Sequence, residues 1–166
     1  MSVTEITDTE QYVTFKLGDA CFAVEVSRAR EILDFREVTR VPQTPKFMLG
    51  VINLRGNVVP VIDMRLKLGM PATEKTIDTC IIVMELRIDG DALIVGALAD
   101  SVQEVSEFQA DMIEPPPSIG SRLNTQYLKG MSNVDDQFVI ILDIDRVFSA
   151  EELSLVQTVG EAALAS

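Results

Sequence analysis

The chain reads as a mainly β protein built from two small five-stranded barrels packed side by side. Three observations predict this. Short apolar or alternating runs recur along 166 residues, each bounded by Gly, Asn, Asp or Pro. Residues at fixed spacing repeat between the two halves. Aromatics make up only 5% of a chain that is 47% hydrophobic, so the core of these units is aliphatic.

Residues 1–9 are polar and without period, a loose arm. Tyr12–Leu17 and Ala20–Val26 flank Gly18-Asp19, which reads as a hairpin. Ser27–Glu31 suits one helical turn and Ile32–Phe35 a short strand. Thr44-Pro45 marks a helix start, with Gly50 as its stop. The second hairpin is Gly50-Val-Ile-Asn-Leu-Arg55 followed by Gly56-Asn57-Val-Val-Pro60-Val-Ile-Asp63. With Gly56-Asn57 as its two-residue loop, Leu54 faces Val59 and Ile52 faces Val61. Ile52, Leu54, Val59 and Val61 then share one apolar face, and Asn53, Arg55 and Pro60 the other. Residues 71–78 are polar and form the expected seam.

Beyond the seam the pattern returns. Gly50, Asn53, Val59 and Asp63 recur as Gly130, Asn133, Val139 and Asp143 at an offset of 80, and Phe47 as Tyr127. Gly18-Asp19-Ala20 recurs as Gly90-Asp91-Ala92 at 72, and Glu31-Ile32 as Glu104-Val105 at 73. Offsets that hold within blocks and shift between them suit duplicated units with unequal loops. The expected organisation is one domain over 10–160, with a first barrel at about 12–70 and a second at about 78–148. Glu114-Pro115-Pro116-Pro117 is a stiff link. Ser149 with Glu152 makes a capping box that opens a helix over 149–159, and 160–166 form a tail.

Charge and composition narrow the function. Residues 1–70 carry nine Lys/Arg and nine Asp/Glu, whereas residues 71–166 carry five and seventeen, so the whole net charge of −12 lies in the second part. A nucleic-acid surface needs a basic patch, so protein partners fit better. No apolar run approaches the ~18 residues of a membrane helix, and the N-terminus lacks the pattern of a signal peptide. A cytoplasmic protein without direct membrane insertion is expected. Cys21 and Cys80 read as reduced, buried thiols, with a bridge between them left open.

Catalytic patterns are absent. The chain has no histidine, the commonest general base and metal ligand. Two cysteines 59 residues apart offer no zinc spacing. Gly50–Gly56 lacks the Lys-Ser/Thr of a phosphate loop, and Gly130-Met-Ser132 lacks the closing glycine of a nucleophile elbow. Asp143 and Asp145 read as a solvated strand end, and Asp135-Asp136 as a hairpin turn. No enzyme, cofactor or metal is expected. Glu31, in a segment between Val26 and Ile32, and Arg55, at a hairpin tip, are the best candidates for a recognition surface.

The Asn-Leu-Arg-Gly turn and its Val-Val-Pro-Val-Ile-Asp strand resemble those of the CheW-like chemotaxis coupling proteins. Arg30-Glu31-Ile32, Val38-Thr39-Arg40 and Thr44-Pro45 through Phe47 and Gly50 extend the resemblance, which runs from about Tyr12 to Val156. It implies two five-stranded SH3-like β-barrels with short helices and a C-terminal helix. It implies a non-enzymatic adaptor between a chemoreceptor's cytoplasmic hairpin tip and the regulatory domain of a histidine autokinase, held at the inner face of the membrane. By that resemblance Val26, Glu31, Ile32, Arg55 and Val102 would meet the receptor, and Val38, Arg40 and Gly50 the kinase. Ala29 and Cys80 depart from the residues expected there. A detached kinase regulatory domain and a small β-barrel ligand binder remain as alternatives.

Overall fold

The computed structural model describes residues 9–109 apart from 43 and 89, residues 128–148 apart from 135 and 136, and residues 152 and 154. The strands are β1 (Thr9–Leu17), β2 (Ala20–Glu25), β3 (Ala29–Asp34), β4 (Met48–Leu54), β5 (Asn57–Asp63), β6 (Cys80–Ile88), β7 (Asp91–Ala99), β8 (Ser101–Gln109), β9 (Leu128–Val134) and β10 (Gln137–Leu142). A 3₁₀ turn, Val26–Arg28, joins β2 to β3, and a four-residue helix α1, Met64–Lys67, follows β5. Asp63 caps α1, its carboxylate accepting from the backbone N–H groups of Arg65 and Leu66.

The strands form two five-stranded sheets, ordered β8-β1-β2-β10-β9 and β3-β6-β7-β5-β4. Neither closes into a barrel, which corrects the expected pair of SH3-like barrels. A closed barrel needs a ladder between its end strands. In the second sheet the ends are β3 and β4, and the chain leaves β3 at Asp34. Among the described residues between Asp34 and β4, only Thr39 pairs with β4, at Val51, through N–H···O bonds of 2.9 and 2.8 Å. The sheet curls around Ile52, Val59, Val61, Ile81 and Leu98, yet its edge stays open.

The sheets are interleaved along the chain. The first takes β1 and β2 with β8, β9 and β10, and the second takes β3 through β7. Each therefore combines a long hairpin from one repeat with the third, fourth and fifth strands of the other. The connection across residues 71–78 consequently runs within one sheet. The repeat itself is visible in the ladders. Partner pairs of the β4–β5 hairpin, such as Gly50 with Val61, Ile52 with Val59 and Leu54 with Asn57, become those of the β9–β10 hairpin on adding 80. The irregularity beside Met48 recurs beside Leu128. The β1–β2 and β6–β7 ladders match at 71, with Leu17–Ala20 corresponding to Ile88–Asp91, one less than the offset of the repeated Gly-Asp-Ala.

One cluster fills the space between the sheets. Phe15, Leu17 and Phe22 of the first meet Ile62, Met64, Ile82, Met84 and Leu86 of the second half of the cluster. The rings of Phe15 and Phe22 stack with centroids 6.1 Å apart. The outer faces are apolar too, with Tyr12, Cys21, Ala23, Val139 and Ile141 on the first sheet. Burial on both faces explains why β6 and β7 are continuous apolar runs with little alternation. Cys21 and Cys80 are buried free thiols, one in each sheet.

Two local expectations change. The helix expected from Thr44-Pro45 to Gly50 is a turn closed by Met48 N–H on Pro45 O at 3.0 Å, and β4 begins immediately afterwards. The helical turn expected over 27–31 is the shorter 3₁₀ turn, because β3 begins at Ala29. Glu152 and Ser154 are helical, and the rest of the expected 149–159 helix lies outside the described residues. So do Tyr127, the proline link, the Asp135-Asp136 turn, most of the N-terminal arm and the 160–166 tail.

Candidate functional site

The tip of the β4–β5 hairpin is made one residue earlier than expected. Its two loop residues are Arg55 and Gly56, both with positive φ, 55° and 86°. That pairing belongs to a type I′ turn, which matches the right-handed twist of the strands better than the Gly56-Asn57 turn anticipated. Every cross-strand pair moves by two positions, an even number, so Ile52, Leu54, Val59 and Val61 still share a face. The opposite face is not solvent, because Val51 and Ile62 pack into the inter-sheet cluster. Asn53 Oδ1 accepts from Gly56 N–H at 2.9 Å and secures the loop.

Arg55 thus occupies a backbone conformation that costs a non-glycine residue about 1–2 kcal/mol. Its side chain projects from the tip, 73% exposed, and its Nη2 donates to Glu31 Oε2 at 2.8 Å. Glu31 stands on β3, at the other end of the same sheet, so the pair spans the open edge. Arg36 Nη1 adds a bond to Asn53 O at 3.3 Å across the same gap. An exposed pair contributes under about 1 kcal/mol, so its effect is to orient two side chains at the open edge of the sheet. The second Glu31 oxygen, Oε1, is buried and has no hydrogen-bond partner.

The other expected receptor residues fall into two groups. Val26, in the 3₁₀ turn, and Val102, on β8, are both partly buried against the inter-sheet cluster. Ile32 is 47% exposed and points away from the side of β3 that carries Glu31. Glu31 and Arg55 are joined by a hydrogen bond.

Val38 and Gly50 meet at one place, with Arg40 exposed alongside. The segment at 38–39 crosses β4 over Gly50, whose φ is +153°. A Cβ there would lie 2.1 Å from Thr39 O and 2.8 Å from Val38 Cγ1. Glycine is required for this close crossing of two backbones.

Sequence reasoning missed the ion pairs that join segments distant in sequence. Asp145 lies beyond the end of β10 and grips Arg28, with Nη1–Oδ1 and Nη2–Oδ2 distances of 2.9 and 2.5 Å. It is not the solvated strand end anticipated. The Asp145 hydrogen bond leads the causes that raise the Arg28 pKa. Arg65 Nη1 lies 3.2 Å from Asp100 Oδ2. Lys129 Nζ donates to Glu25 Oε1 at 2.6 Å and Tyr12 Oη at 3.2 Å. Burial opposes the Lys129 charge, but these bonds outweigh it and raise its pKa. Such partners lie far apart in sequence and carry no local pattern.

Among the described residues no group of three or more His, Cys, Asp or Glu is placed to hold a metal ion. Nor is any helix among them long and apolar enough to cross a membrane.

Comparison with known proteins places this geometry. The CheW-like domain profile matches residues 11–152. The chain belongs to the CheW-like domain family. It is 32% identical over 153 residues to the chemotaxis protein CheW of Klebsiella aerogenes, covering 92% of this chain and 90% of that protein. It is 34% identical over 142 residues to a probable chemotaxis protein CheW of Rhizobium etli, covering 86% and 89%. The crystal structure of the scaffolding protein TtCheW from Thermoanaerobacter tengcongensis superimposes with a TM-score of 0.76 at 30% identity, covering 86% of this chain and 90% of that one.

Proposed function

We propose that this chain is a non-enzymatic chemotaxis adaptor that couples the cytoplasmic tip of a chemoreceptor to the regulatory domain of a histidine autokinase. Membership of the CheW-like family along nearly the whole chain carries this reading. It works in the cytoplasm, beside receptors clustered in arrays. Coupling needs no chemistry, because two binding surfaces on one body exchange free energy through their relative placement.

The receptor surface is assigned to Val26, Glu31, Ile32, Arg55 and Val102. The Glu31–Arg55 pair supports the assignment, since one charge-assisted N–H···O bond orients the two side chains across the open edge of the sheet. The kinase surface is assigned to Val38, Arg40 and Gly50. The tight crossing of 38–39 over Gly50 supports that assignment, because it holds the exposed Thr39 and Arg40 in a fixed position over β4.

Titrating a receptor signalling fragment and, separately, the kinase regulatory domain into wild type and Arg55→Glu tests the two surfaces. The expected result is loss of receptor affinity with kinase affinity retained. Equal affinity of both proteins for the receptor fragment would move the receptor surface elsewhere.

A further inference from the structure

The duplicated repeat makes the two places where the chain crosses between sheets equivalent. Arg28 ends the 3₁₀ turn between β2 and β3, the crossing from the first sheet to the second. Asp100 is the single residue between β7 and β8, the crossing back. Each is paired with a residue that follows the last strand of the other repeat, Arg28 with Asp145 beyond β10 and Asp100 with Arg65 beyond β5. Asp145 and Arg65 are themselves equivalent at the offset of 80. Asp63 Oδ1 accepts from Arg65 N–H at 3.1 Å, and Asp143 Oδ1 accepts from Asp145 N–H at 3.2 Å. The same ion pair thus occurs at both junctions with its charges exchanged.

Each pair also engages the long hairpin beside it. Arg28 Nη1 donates to Glu85 O at 3.1 Å, and Asp145 Oδ1 accepts from Arg87 N–H at 3.1 Å. Asp100 Oδ2 accepts from Gly18 N–H at 2.5 Å, and its own N–H donates to Lys16 O at 3.0 Å. Every junction therefore ties together a crossing, a strand end and a hairpin of the two sheets. All four paired side chains are largely shielded from solvent. Val26 stands two residues before Arg28, and Val102 two residues after Asp100, both against the inter-sheet cluster.

We propose that the charge-exchanged pairs Arg28–Asp145 and Asp100–Arg65 are positioning elements of the receptor surface, fixing Val26 and Val102 relative to each other by fixing how the two sheets meet. This rests on the receptor assignment above. A binding surface held by a supporting shell loses affinity when that shell loosens, even though the contacting side chains are unchanged. The kinase surface is assigned to the crossing of 38–39 over β4, within one sheet, and includes neither junction pair.

The test titrates the receptor signalling fragment and the kinase regulatory domain separately into Asp145→Asn, Asp100→Asn, Arg28→Lys and the double variant Arg28→Asp/Asp145→Arg, with Arg55→Glu as reference. Arg28→Lys keeps the charge but cannot reproduce both the fork on Asp145 and the bond to Glu85 O, so it serves if the Asp variants do not fold. Each single variant is expected to weaken the receptor fragment about tenfold, equivalent to about 1.4 kcal/mol, and to leave kinase affinity within about twofold. The double variant recreates the polarity that Asp100 and Arg65 already use but gives up the bonds to Glu85 O and from Arg87 N–H, so it regains part of the loss. Equal losses for both partners would mean that the pairs only stabilise the fold, and overturn the proposal. Unchanged receptor affinity in all junction variants, with Arg55→Glu impaired, overturns it as well. If Arg55→Glu also binds the receptor fragment normally, the receptor assignment falls and the proposal with it.

Discussion

Replacing Gly50 by alanine attacks the close crossing of the 38–39 segment over β4. The new Cβ would sit 2.1 Å from Thr39 O and 2.8 Å from Thr39 C, with Val38 Cγ1 also at 2.8 Å. Neither carbonyl atom belongs to a flexible side chain, so the 38–39 segment has to lift. Lifting breaks the two Thr39–Val51 backbone bonds, each contributing roughly 0.5–1.5 kcal/mol. Alanine at φ +153° adds backbone strain of about 1–2 kcal/mol if β4 keeps its path. The sum is about 2–5 kcal/mol, which lowers the melting temperature by about 5–15 °C for a chain of this size. Circular dichroism melts give the stability, and hydrogen exchange at the Val51 amide reports the bridge directly. The expected result is a lower melt, rapid exchange at Val51 and weakened binding of the kinase regulatory domain. Gly56→Ala is the control, since nothing lies within 4 Å of its added Cβ and only its φ of +86° opposes the change. A Gly50→Ala protein that melts with wild type and still protects Val51 would refute the crossing as described.

Other outcomes follow from the same geometry. Arg55→Asn places a residue suited to positive φ at the hairpin tip, so stability rises by about 0.5–1 kcal/mol while receptor binding falls; a melt paired with a titration reads both. Gly96→Ala brings a Cβ to 2.8 Å from Ile81 Cγ2 and costs about 1–3 kcal/mol by overpacking, measured by denaturant unfolding. Burial pushes the Cys21 and Cys80 thiols up from 9.0. The unfolded chain releases those protons first, so their contribution to stability is intact below about pH 9 and is lost as pH rises further. Unfolding midpoints of wild type and Cys80→Ala between pH 8 and 10.5 should therefore converge as pH rises.

Much of this fold is written locally. Apolar runs bounded by Gly18-Asp19 and by Arg55-Gly56 form the expected hairpins, because alternation and turn chemistry act over a few residues. The repeat at an offset of 80 marks two hairpins with the same ladder. The sheet exchange is not legible that way. Whether β2 pairs with β5 or with β10 depends on apolar faces meeting across more than a hundred residues, and both candidates carry the same pattern. The exact turn was missed because an arginine at positive φ goes against local preference, and the strand twist overrides it. Glu31 and Arg55 were singled out as a pair and are in direct contact at 2.8 Å. Arg28 and Asp145 were not singled out together, since 117 positions separate them. Single charges carry no spacing signal at that distance.

The most direct test of the adaptor account is a co-sedimentation experiment with vesicle-templated receptor signalling fragments and the histidine autokinase. The kinase should pellet with the receptor when this protein is added, and stay largely in the supernatant when it is omitted. Kinase that pellets equally without it, or never pellets with it, would contradict the account.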